Sequence, residues 1–331
     1  MRKRVVVSTS LRNAGVEPHL LDVDELPRKY PIMETSEDLQ LDGYHFAAPT
    51  SLSVGSGLVL SEGTEAETTE LTQETVEPKQ LKIMAKPDRL LTQAALAAVK
   101  QAGLTDSDLK TDTGIYVTTG YQTGFGEFAL PAARSFTRGS DTQDSELETN
   151  YWADFAKAVT ESVNPRFLFA SIDSPLFHVS KALGIQGPSV IMSPSAAQWF
   201  QVLRAAWRDL KDGKVRFALL CATAEMRSTL SRLQNARMNP SELRTPVDTA
   251  TCMVLRKGTA PGRIARISLR RTRHPHSNFG ELGSVPELNA DAGPVTPSLA
   301  ILLSLKNSGA KEIHLTRIDH DGALAVQVSR R

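Results

Sequence analysis

The residues best placed to do chemistry lie in the stretch Ser193–Gln198, which reads SPSAAQ. An apolar run at 189–192 precedes it and a long apolar-striped segment follows it, so the stretch marks a turn from strand to helix. A nucleophile at a helix N-terminus is activated because the helix dipole lowers the pKa of an ionisable group there. Serine also needs a general base nearby in space. The pattern is not G-x-S-x-G, so a capping or pocket-lining role is favoured for Ser195 over a catalytic one.

Histidine is the side chain that would supply such a base near pH 7. His178 lies among apolar residues in SPLFHVSKAL, which favours a core or interface position. His274 and His276, in RTRHPHSN, have no acidic or cysteine ligands at suitable spacing, so we expect no metal site and no cofactor. The polar residues around His320 are expected to form a turn rather than a site.

Composition restricts the partners and the compartment. The chain has 331 residues and a formal net charge of +1, so neither nucleic acid nor an anionic membrane is an expected partner. No apolar run is long enough to span a bilayer, and the apolar part of the N-terminus is too short for a secretory signal. Cys221 and Cys252 lie in apolar runs and are expected to be buried thiols in a reducing compartment, with a disulfide left open. We therefore expect a cytoplasmic protein.

The elements that must position SPSAAQ alternate between strand and helix. A helix is predicted from Pro87 to a stop at Gly103, followed by a buried strand in TGIYVTTG. After the strand at 189–192, Ser193 and Pro194 suit the N-cap and the first helical position. The apolar stripe of that helix is wide, which predicts a buried helix, and VRFALLCATAE then reads as a central strand. This alternation predicts a layered α/β architecture.

Two charged segments stand apart from this core. The region around 36–80 contains SEGTEAETTELTQETVEP, which has almost no apolar residue to bury, so an acidic loop or flap is predicted there. The later strand-like run RIARISLRR belongs to a basic series that contains Arg263, Arg266, Arg270, Arg271 and Arg273. The series is equally consistent with a solvated edge strand and with a docking patch for an acidic partner.

Several blocks, in order, resemble the β-ketoacyl synthase branch of the thiolase superfamily. The blocks are DRLLTQAALAAVKQAGL, TGIYVTTGYQTG, HVSKALGIQGPSVIMSPSAAQWFQVLRAAWRDL with its following strand, and PVDTATCMVLRKG. The resemblance implies a thiolase-like layered α-β-α-β-α fold, shortened in its C-terminal half. It also implies a single domain over 1–331, made of two pseudo-repeated halves at about 1–225 and 226–331.

The resemblance also identifies what is missing. The family places its nucleophilic cysteine where this chain has Ser195, if the helices are aligned, or Ala196, if Gly187-Pro188 is aligned. The chain contains neither a His-Gly nor a Gly-His dipeptide, and the position of the second catalytic histidine falls near Glu287. Of the terminal glycine turn only Gly322 remains. The resemblance therefore implies a degenerate, non-catalytic member.

Chain-length-factor subunits of type II polyketide systems show the same loss, and this chain is similar to them. The implied role is to pair with a cysteine-bearing ketosynthase as a heterodimer, to meet an acyl carrier protein at the basic series, and to wall the acyl-chain tunnel. The shortened C-terminal half suggests a subgroup that makes polyene or fatty-acyl-like chains. The tunnel or interface candidates are Phe177, His178, Ser195, Gln198, Trp199 and Phe200.

Two alternatives remain open from the sequence. The first is an enzyme, a serine-dependent acyltransferase or hydrolase on a thiolase fold that uses Ser195. The second is a homodimeric acyl-binding or scaffold protein. Chain-length-factor subunits usually carry glutamine at the cysteine position, whereas here Gln198 lies three residues after Ser195.

Overall fold

The computed structural model describes residues 37–49, 52, 71, 76–120, 174–228, 231–232, 244–258, 264–272, 288–307, 312–319 and 322–330. Its strands are β1 (Glu37–Ala47), β2 (Thr113–Thr119), β3 (Ser189–Met192), β4 (Phe217–Glu225), β5 (Asp248–Lys257), β6 (Ala265–Thr272), β7 (Glu312–Asp319) and β8 (Gly322–Arg330). Its helices are α1 (Pro78–Ile83), α2 (Lys86–Ala102), α3 (Asp106–Leu109), α4 (Ser174–Leu183), α5 (Ala196–Lys211) and α6 (Thr296–Asn307), and Gly293–Val295 forms a 3₁₀ turn before α6.

The strands form one eight-stranded sheet in the order β3-β2-β4-β5-β1-β6-β8-β7. Strands β3, β2 and β4 are parallel neighbours, whereas every other pair in the sheet is antiparallel. The parallel strands are joined through helical crossovers, as a βαβ arrangement requires. Their carboxyl ends meet at one edge of the sheet, where loops and helix N-termini converge.

Helices cover the sheet on both faces, and the strands divide their side chains accordingly. Along β2, Ile115 and Val117 belong to one buried cluster with α2 and α4. Tyr116 belongs to the other cluster, with α5 and α6. Period-two alternation of fully buried residues is what a strand covered on both faces requires. The predicted α/β, thiolase-like fold class is confirmed.

Helix α2 illustrates how local sequence sets these elements. Pro87 lies in its first turn, and Asp88 Oδ2 accepts a 2.8 Å hydrogen bond from the backbone N–H of Ala85, which closes a capping interaction. At the other end Gly103 adopts φ 66°, the left-handed conformation that ends helices at little cost for glycine. The boundaries predicted from the sequence are confirmed to within a residue.

The predicted acidic loop over 36–80 is wrong at both ends. Residues 37–47 form β1, which lies between β5 and β6 in the sheet, and 78–83 form α1. The acidic residues that follow β1 dominate the composition of this region and conceal an eleven-residue strand in which Leu39 and Leu41 are buried. The central part of the predicted loop lies outside the described residues. In the part of the chain that the structure describes, no helix has the length and apolar character to cross a membrane.

Candidate functional site

The candidate site is the turn between β3 and α5, which lies at the edge where the parallel strands end. The hydroxyl of Ser193 donates a 3.2 Å hydrogen bond to the carbonyl of Gly120, which follows β2. The N–H of Gly120 in turn donates to the carbonyl of Thr223 at the end of β4, at 2.9 Å. These bonds tie the turn to the carboxyl ends of β2 and β4.

Helix α5 begins at Ala196, with Ser195 as its N-cap in an extended conformation. The prediction that Ser193 is the N-cap and Pro194 the first helical residue is therefore wrong. Ser193 and Ser195 are both favourable N-cap residues, and proline is accepted in the first turn of a helix. Local sequence therefore does not decide which of the two serines is the N-cap. The Ser195 side chain is exposed and makes no capping hydrogen bond, although its carbonyl accepts a 2.9 Å bond from the N–H of Gln198.

The glycine of the Gly187-Pro188 turn is required by close backbone packing. A Cβ atom at Gly187 would collide with the carbonyl oxygen of Thr113 and would lie 2.9 Å from its carbonyl carbon. The Pro188 carbonyl accepts a 2.9 Å hydrogen bond from the N–H of Ile115. This turn therefore fixes β3 against β2 and, through β3, the position of the Ser195 turn.

The described chain packs closely at the carboxyl ends of β2 and β4. The 3₁₀ turn before α6 contacts α5, β2 and β4. A Cβ atom on Gly120 would lie 3.2 Å from Ala224 Cβ and 3.6 Å from Pro294 Cγ, and one on Gly293 would collide with the sulfur of Met226. Gly293 has φ 51°, and its N–H donates a 2.9 Å bond to the Asp291 side chain. Glu287, the position that matches the family's second histidine, lies outside the described residues.

The structure divides the predicted tunnel or interface residues between the two faces of the sheet. Trp199 and Phe200 are buried on the face that α5 shares with α6, with ring centroids 5.1 Å apart and edge to face. Among the described residues, Trp199 Nε1 has no hydrogen-bond partner. Phe177 and His178 lie on α4, on the opposite face, where Phe177 is 52% exposed and His178 is buried. Gln198 lies in the first turn of α5 and is partly buried.

The prediction that α5 is a buried helix is correct for one of its faces. One face of the helix packs into the core, but the other carries exposed basic residues, including Arg208, whose side chain is 63% exposed. The wide apolar stripe read from the sequence is real, yet Arg204, Arg208 and Lys211 follow one another at helical spacing on a separate face.

His178 belongs to a buried polar cluster that sequence reasoning misses. Asp88 Oδ2 accepts a 3.0 Å hydrogen bond from the hydroxyl of Ser174 and lies 3.7 Å from His178 Nε2. Burial raises the pKa of Asp88 to about 6, against the hydrogen bonds from Ala85 and Ser174 that lower it. Burial, with a smaller contribution from the charge of Lys181, lowers the pKa of His178 to about 4.

This cluster does not have the order of a serine hydrolase. In such a triad histidine stands between the serine and the acid, whereas here Asp88 stands between Ser174 and His178. His178 is also on the opposite face of the sheet from α5, so it does not serve Ser195 as a base. The only sequence signal for the cluster is Asp88 in its capping position.

Cys221 and Cys252 are both buried free thiols, as the sequence predicts. They do not form the disulfide that the sequence leaves open. Cys221 and Cys252 face each other across β4 and β5 with their Sγ atoms 3.6 Å apart. The pKa of Cys252 is raised by its contact with the Cys221 thiol and by burial. These thiols lie under α2, away from the Ser195 turn.

The basic series is only partly described. Arg266 on β6 forms an ion pair with Asp38 on β1, and Ser268 donates a 2.6 Å hydrogen bond to the same carboxylate. Arg263 and Arg273 lie outside the described residues, as do His274, His276 and His320, and nothing is described of the side chains of Arg270 and Arg271. That the basic series is a docking patch stays a prediction. The carboxylate of Asp38 offsets the charge of Arg266, which belongs to this series.

Comparison with known proteins supplies the family. The sequence matches the family model described as beta-ketoacyl synthase, N-terminal domain, over residues 57–249. No curated protein matches the chain.

Solved structures resemble this one over most of its length. One is a type II polyketide synthase acyl-carrier protein in complex with its ketosynthase bound to the hexaketide (AntDE:AntF), with 13% identity and a TM-score of 0.57, covering 89% of this chain and 100% of that chain. Another is the ishigamide ketosynthase/chain length factor, with 12% identity and a TM-score of 0.54, covering 89% and 99%. The PfaC ketosynthase–chain length factor has 10% identity and a TM-score of 0.62, covering 91% of this chain and 44% of that chain. Because the sequence identities are only 10–13%, the structural similarity shows a shared fold and nothing more.

The matched residues 57–249 make up more than half of the 331 residues, so this chain belongs to the beta-ketoacyl synthase family.

Proposed function

We propose that this chain is a non-catalytic, chain-length-factor-like subunit that pairs with a cysteine-bearing ketosynthase and helps to shape the acyl-chain tunnel in type II polyketide synthesis. The observation that carries the proposal is the turn before α5. It has a strand, a turn and a helix in the order that the family resemblance implies, and Ser195 and Ala196 are the two positions at which that resemblance expects a nucleophilic thiol. A serine hydroxyl without a base is a far poorer nucleophile than a thiolate at a helix N-terminus.

The packing around the turn supports the same proposal. Pro294 and Ala224 approach Gly120, and Met226 approaches Gly293, so apolar groups of the described chain pack around the carboxyl ends of β2 and β4. A site that binds and activates an acyl thioester needs a polar oxyanion pocket instead. We infer that this region serves as scaffold.

The sheet edge at β3 supports pairing with a partner. Within the described part of the sheet, β3 is an end strand with β2 as its neighbour, and its apolar residues Val190, Ile191 and Met192 are partly exposed. Phe177, on the neighbouring helix α4, is exposed as well. An apolar strand edge left open is a template for another chain, so we propose that the ketosynthase partner pairs there.

The similar solved structures are consistent with this assignment. One contains an acyl-carrier protein with its ketosynthase, and two are described as a ketosynthase with a chain length factor. We propose the same two partners here. Trp199 and Phe200 are buried in this subunit, so we propose that they limit the tunnel by supporting the turn rather than by lining an open channel.

Reconstitution with a cysteine-bearing ketosynthase tests the function. The subunit alone is expected to form no acyl adduct when incubated with a radiolabelled acyl-carrier thioester, whereas the co-expressed pair is expected to elongate the chain. Ser195→Ala in this subunit should leave product formation unchanged. A stable acyl adduct on this chain that disappears in Ser195→Ala would establish the serine-dependent enzyme instead.

Pairing itself is tested with Phe177→Asp, which places a charge on the exposed apolar position of α4. We expect this variant to lose co-elution with the ketosynthase, while the matched control Lys100→Asp, at an exposed position of α2, keeps it. If the unaltered chain did not co-purify with any ketosynthase and had a homodimeric mass, the heterodimer proposal would be wrong. The homodimeric scaffold alternative would then take its place.

A further inference from the structure

The two cysteines of the chain form one buried pair near the centre of the sheet. Cys221 of β4 and Cys252 of β5 are direct partners across these antiparallel strands, and their Sγ atoms lie 3.6 Å apart. Both side chains are fully buried. They are the only cysteines among the 331 residues, so each thiol has one possible partner within the chain. The proposed function uses neither of them.

The strand register suits a covalent bond between the two sulfur atoms. Directly opposed residues of antiparallel strands have Cα atoms about 4.5 or 5.5 Å apart, and both distances fall within the roughly 4.4–6.8 Å found in disulfides. The Sγ atoms must close from 3.6 Å to about 2.05 Å, which rotation of the two side chains about their Cα–Cβ bonds can supply. The backbone is therefore already positioned for a cross-link.

The surroundings of the pair restrict which oxidant can reach it. Both cysteines belong to an apolar cluster that includes Ala94, Ala95 and Ala98 of α2. A protein oxidant or glutathione disulfide has to bring one of its own sulfur atoms into contact with the attacking thiolate, and a fully buried pair prevents this approach. The oxidant must therefore be small and neutral, which describes hydrogen peroxide.

We propose that Cys221 and Cys252 are a modification site at which hydrogen peroxide forms one intrachain disulfide between β4 and β5. The two thiols lose two electrons and two protons, and the peroxide takes up both and leaves as two water molecules. One sulfur first attacks the peroxide, whose O–O bond breaks, giving a sulfenic acid and the first water. The second sulfur then attacks the sulfenic sulfur. The S–O bond breaks, the S–S bond forms, and the leaving hydroxide takes the second thiol proton as water.

The reaction is expected to be slow, because thiolate is the reactive form of cysteine. Cys221 donates its S–H to Sγ of Cys252. This contact and burial raise the pKa of Cys252, so its thiol form predominates at neutral pH. The pair is thus reduced in ordinary conditions and is oxidised only during sustained exposure to peroxide.

The cross-link would fasten two parts of the sheet to each other. Strand β4 pairs with β2 in the parallel part and with β5 in the antiparallel part. The two cysteines are 31 residues apart in the chain, so a bond between them restricts the unfolded state. We expect the Tm to rise by about 5 °C on oxidation. This effect does not depend on pairing with a ketosynthase.

Peroxide treatment of the folded, unaltered chain tests the proposal. After treatment the chain is unfolded, remaining thiols are blocked with iodoacetamide, and the peptides are mapped by mass spectrometry. We expect the peptides of Cys221 and Cys252 to be joined and about 2 Da lighter than their sum, because two thiol hydrogens are lost. Two thiols that remain open to alkylation, sulfinic acids, or a bond between two chains would overturn the proposal.

A parallel sample shows whether the folded chain is the species that reacts. It receives iodoacetamide in place of peroxide, without unfolding, and we expect both cysteines to stay unlabelled over the same period because they are buried. If iodoacetamide labelled them as fast as peroxide oxidised them, oxidation would proceed through an opened chain, and the site in the folded sheet would be wrong.

Cys252→Ala is the control for the thermal effect, since peroxide also oxidises methionine and the chain has seven methionines. This variant has no partner for Cys221, so its Tm should not rise after peroxide treatment. An equal rise in the variant would show that the cross-link is not the cause. If the variant fails to fold, the oxidised unaltered chain is reduced with dithiothreitol and refolded, and its Tm should return to the starting value. A Tm that stays raised after reduction would contradict the proposal.

Discussion

The hydroxyl of Tyr116, at the centre of β2, donates a 3.0 Å hydrogen bond to Oδ2 of Asp209, near the end of α5. Both residues are buried, and Lys214 completes the contact with a 3.0 Å bond to Oδ1 of Asp209. Ring atoms of Tyr116 would lie 2.8 Å from a Cβ atom on Gly114, so the ring depends on that glycine for its position. The helix that carries Ser195 is therefore held to the sheet at its far end by a specific polar contact as well as by its apolar face.

Tyr116→Phe removes this contact and leaves the ring in place. We expect the free energy of unfolding to fall by about 1.5–3 kcal/mol, since a buried hydrogen bond to a charged acceptor is lost. Urea denaturation measures the change. The control Tyr44→Phe alters a partly buried tyrosine of β1 and should stay within about 0.5 kcal/mol. Equal effects of the two variants would contradict a specific role for the Tyr116 hydroxyl.

Asp209 gives this contact a pH dependence. Burial alone would raise its pKa, but the hydrogen bonds from Lys214 and Tyr116 hold it below the ordinary value. The contribution of Asp209 to stability is therefore present above pH 3.8 and is lost as the pH falls below it. We expect the stability difference between the unaltered chain and Asp209→Asn to shrink between pH 5 and pH 3, as followed by urea unfolding. A difference that widens on acidification would contradict this assignment.

Gly187→Ala tests the turn that fixes β3. The new Cβ would meet backbone atoms of Thr113, which cannot swing aside as a side chain does, so β3 must shift from β2. We expect a loss of about 1–3 kcal/mol, the range of overpacked sites. The neighbouring exposed position offers the control Ser189→Ala, which should change stability by less than about 0.5 kcal/mol. If Gly187→Ala were as stable as Ser189→Ala, the turn would have relaxed around the added Cβ atom, and the expected loss of stability would be wrong.

The sequence predicts this fold where the information is local. Helix α2 carries both its proline start and its glycine end, and the strand around Tyr116 has an apolar centre and no charged residue, so both are found correctly. Strand β1 is missed because a long acidic stretch follows it and hides its alternation.

Side-chain contacts between distant parts of the chain are harder to predict from the sequence than helices and strands are. Asp88 and Ser174 are 86 residues apart in the chain, and Tyr116 and Asp209 are 93 apart, so no local pattern contains either contact. The existence of α5 follows from its local sequence, although its N-cap is Ser195 rather than the predicted Ser193, whereas the location of His178 on the other face of the sheet depends on the whole topology.

Ser195→Cys tests what the turn before α5 can still do. A thiol at this exposed helix N-cap should have a lowered pKa because of the helix dipole, and so should react with iodoacetamide roughly tenfold faster than an exposed control, Gln186→Cys. Ala196→Cys tests the adjacent position, and the faster of the two is the position at which the helix N-terminus activates a thiol more strongly. Mass spectrometry distinguishes these thiols from Cys221 and Cys252, which should stay unlabelled because they are buried. Neither variant should condense acyl chains alone, since the bases implied by the family resemblance are missing from the sequence. Condensation by Ser195→Cys alone would show that the rest of the catalytic machinery had been retained.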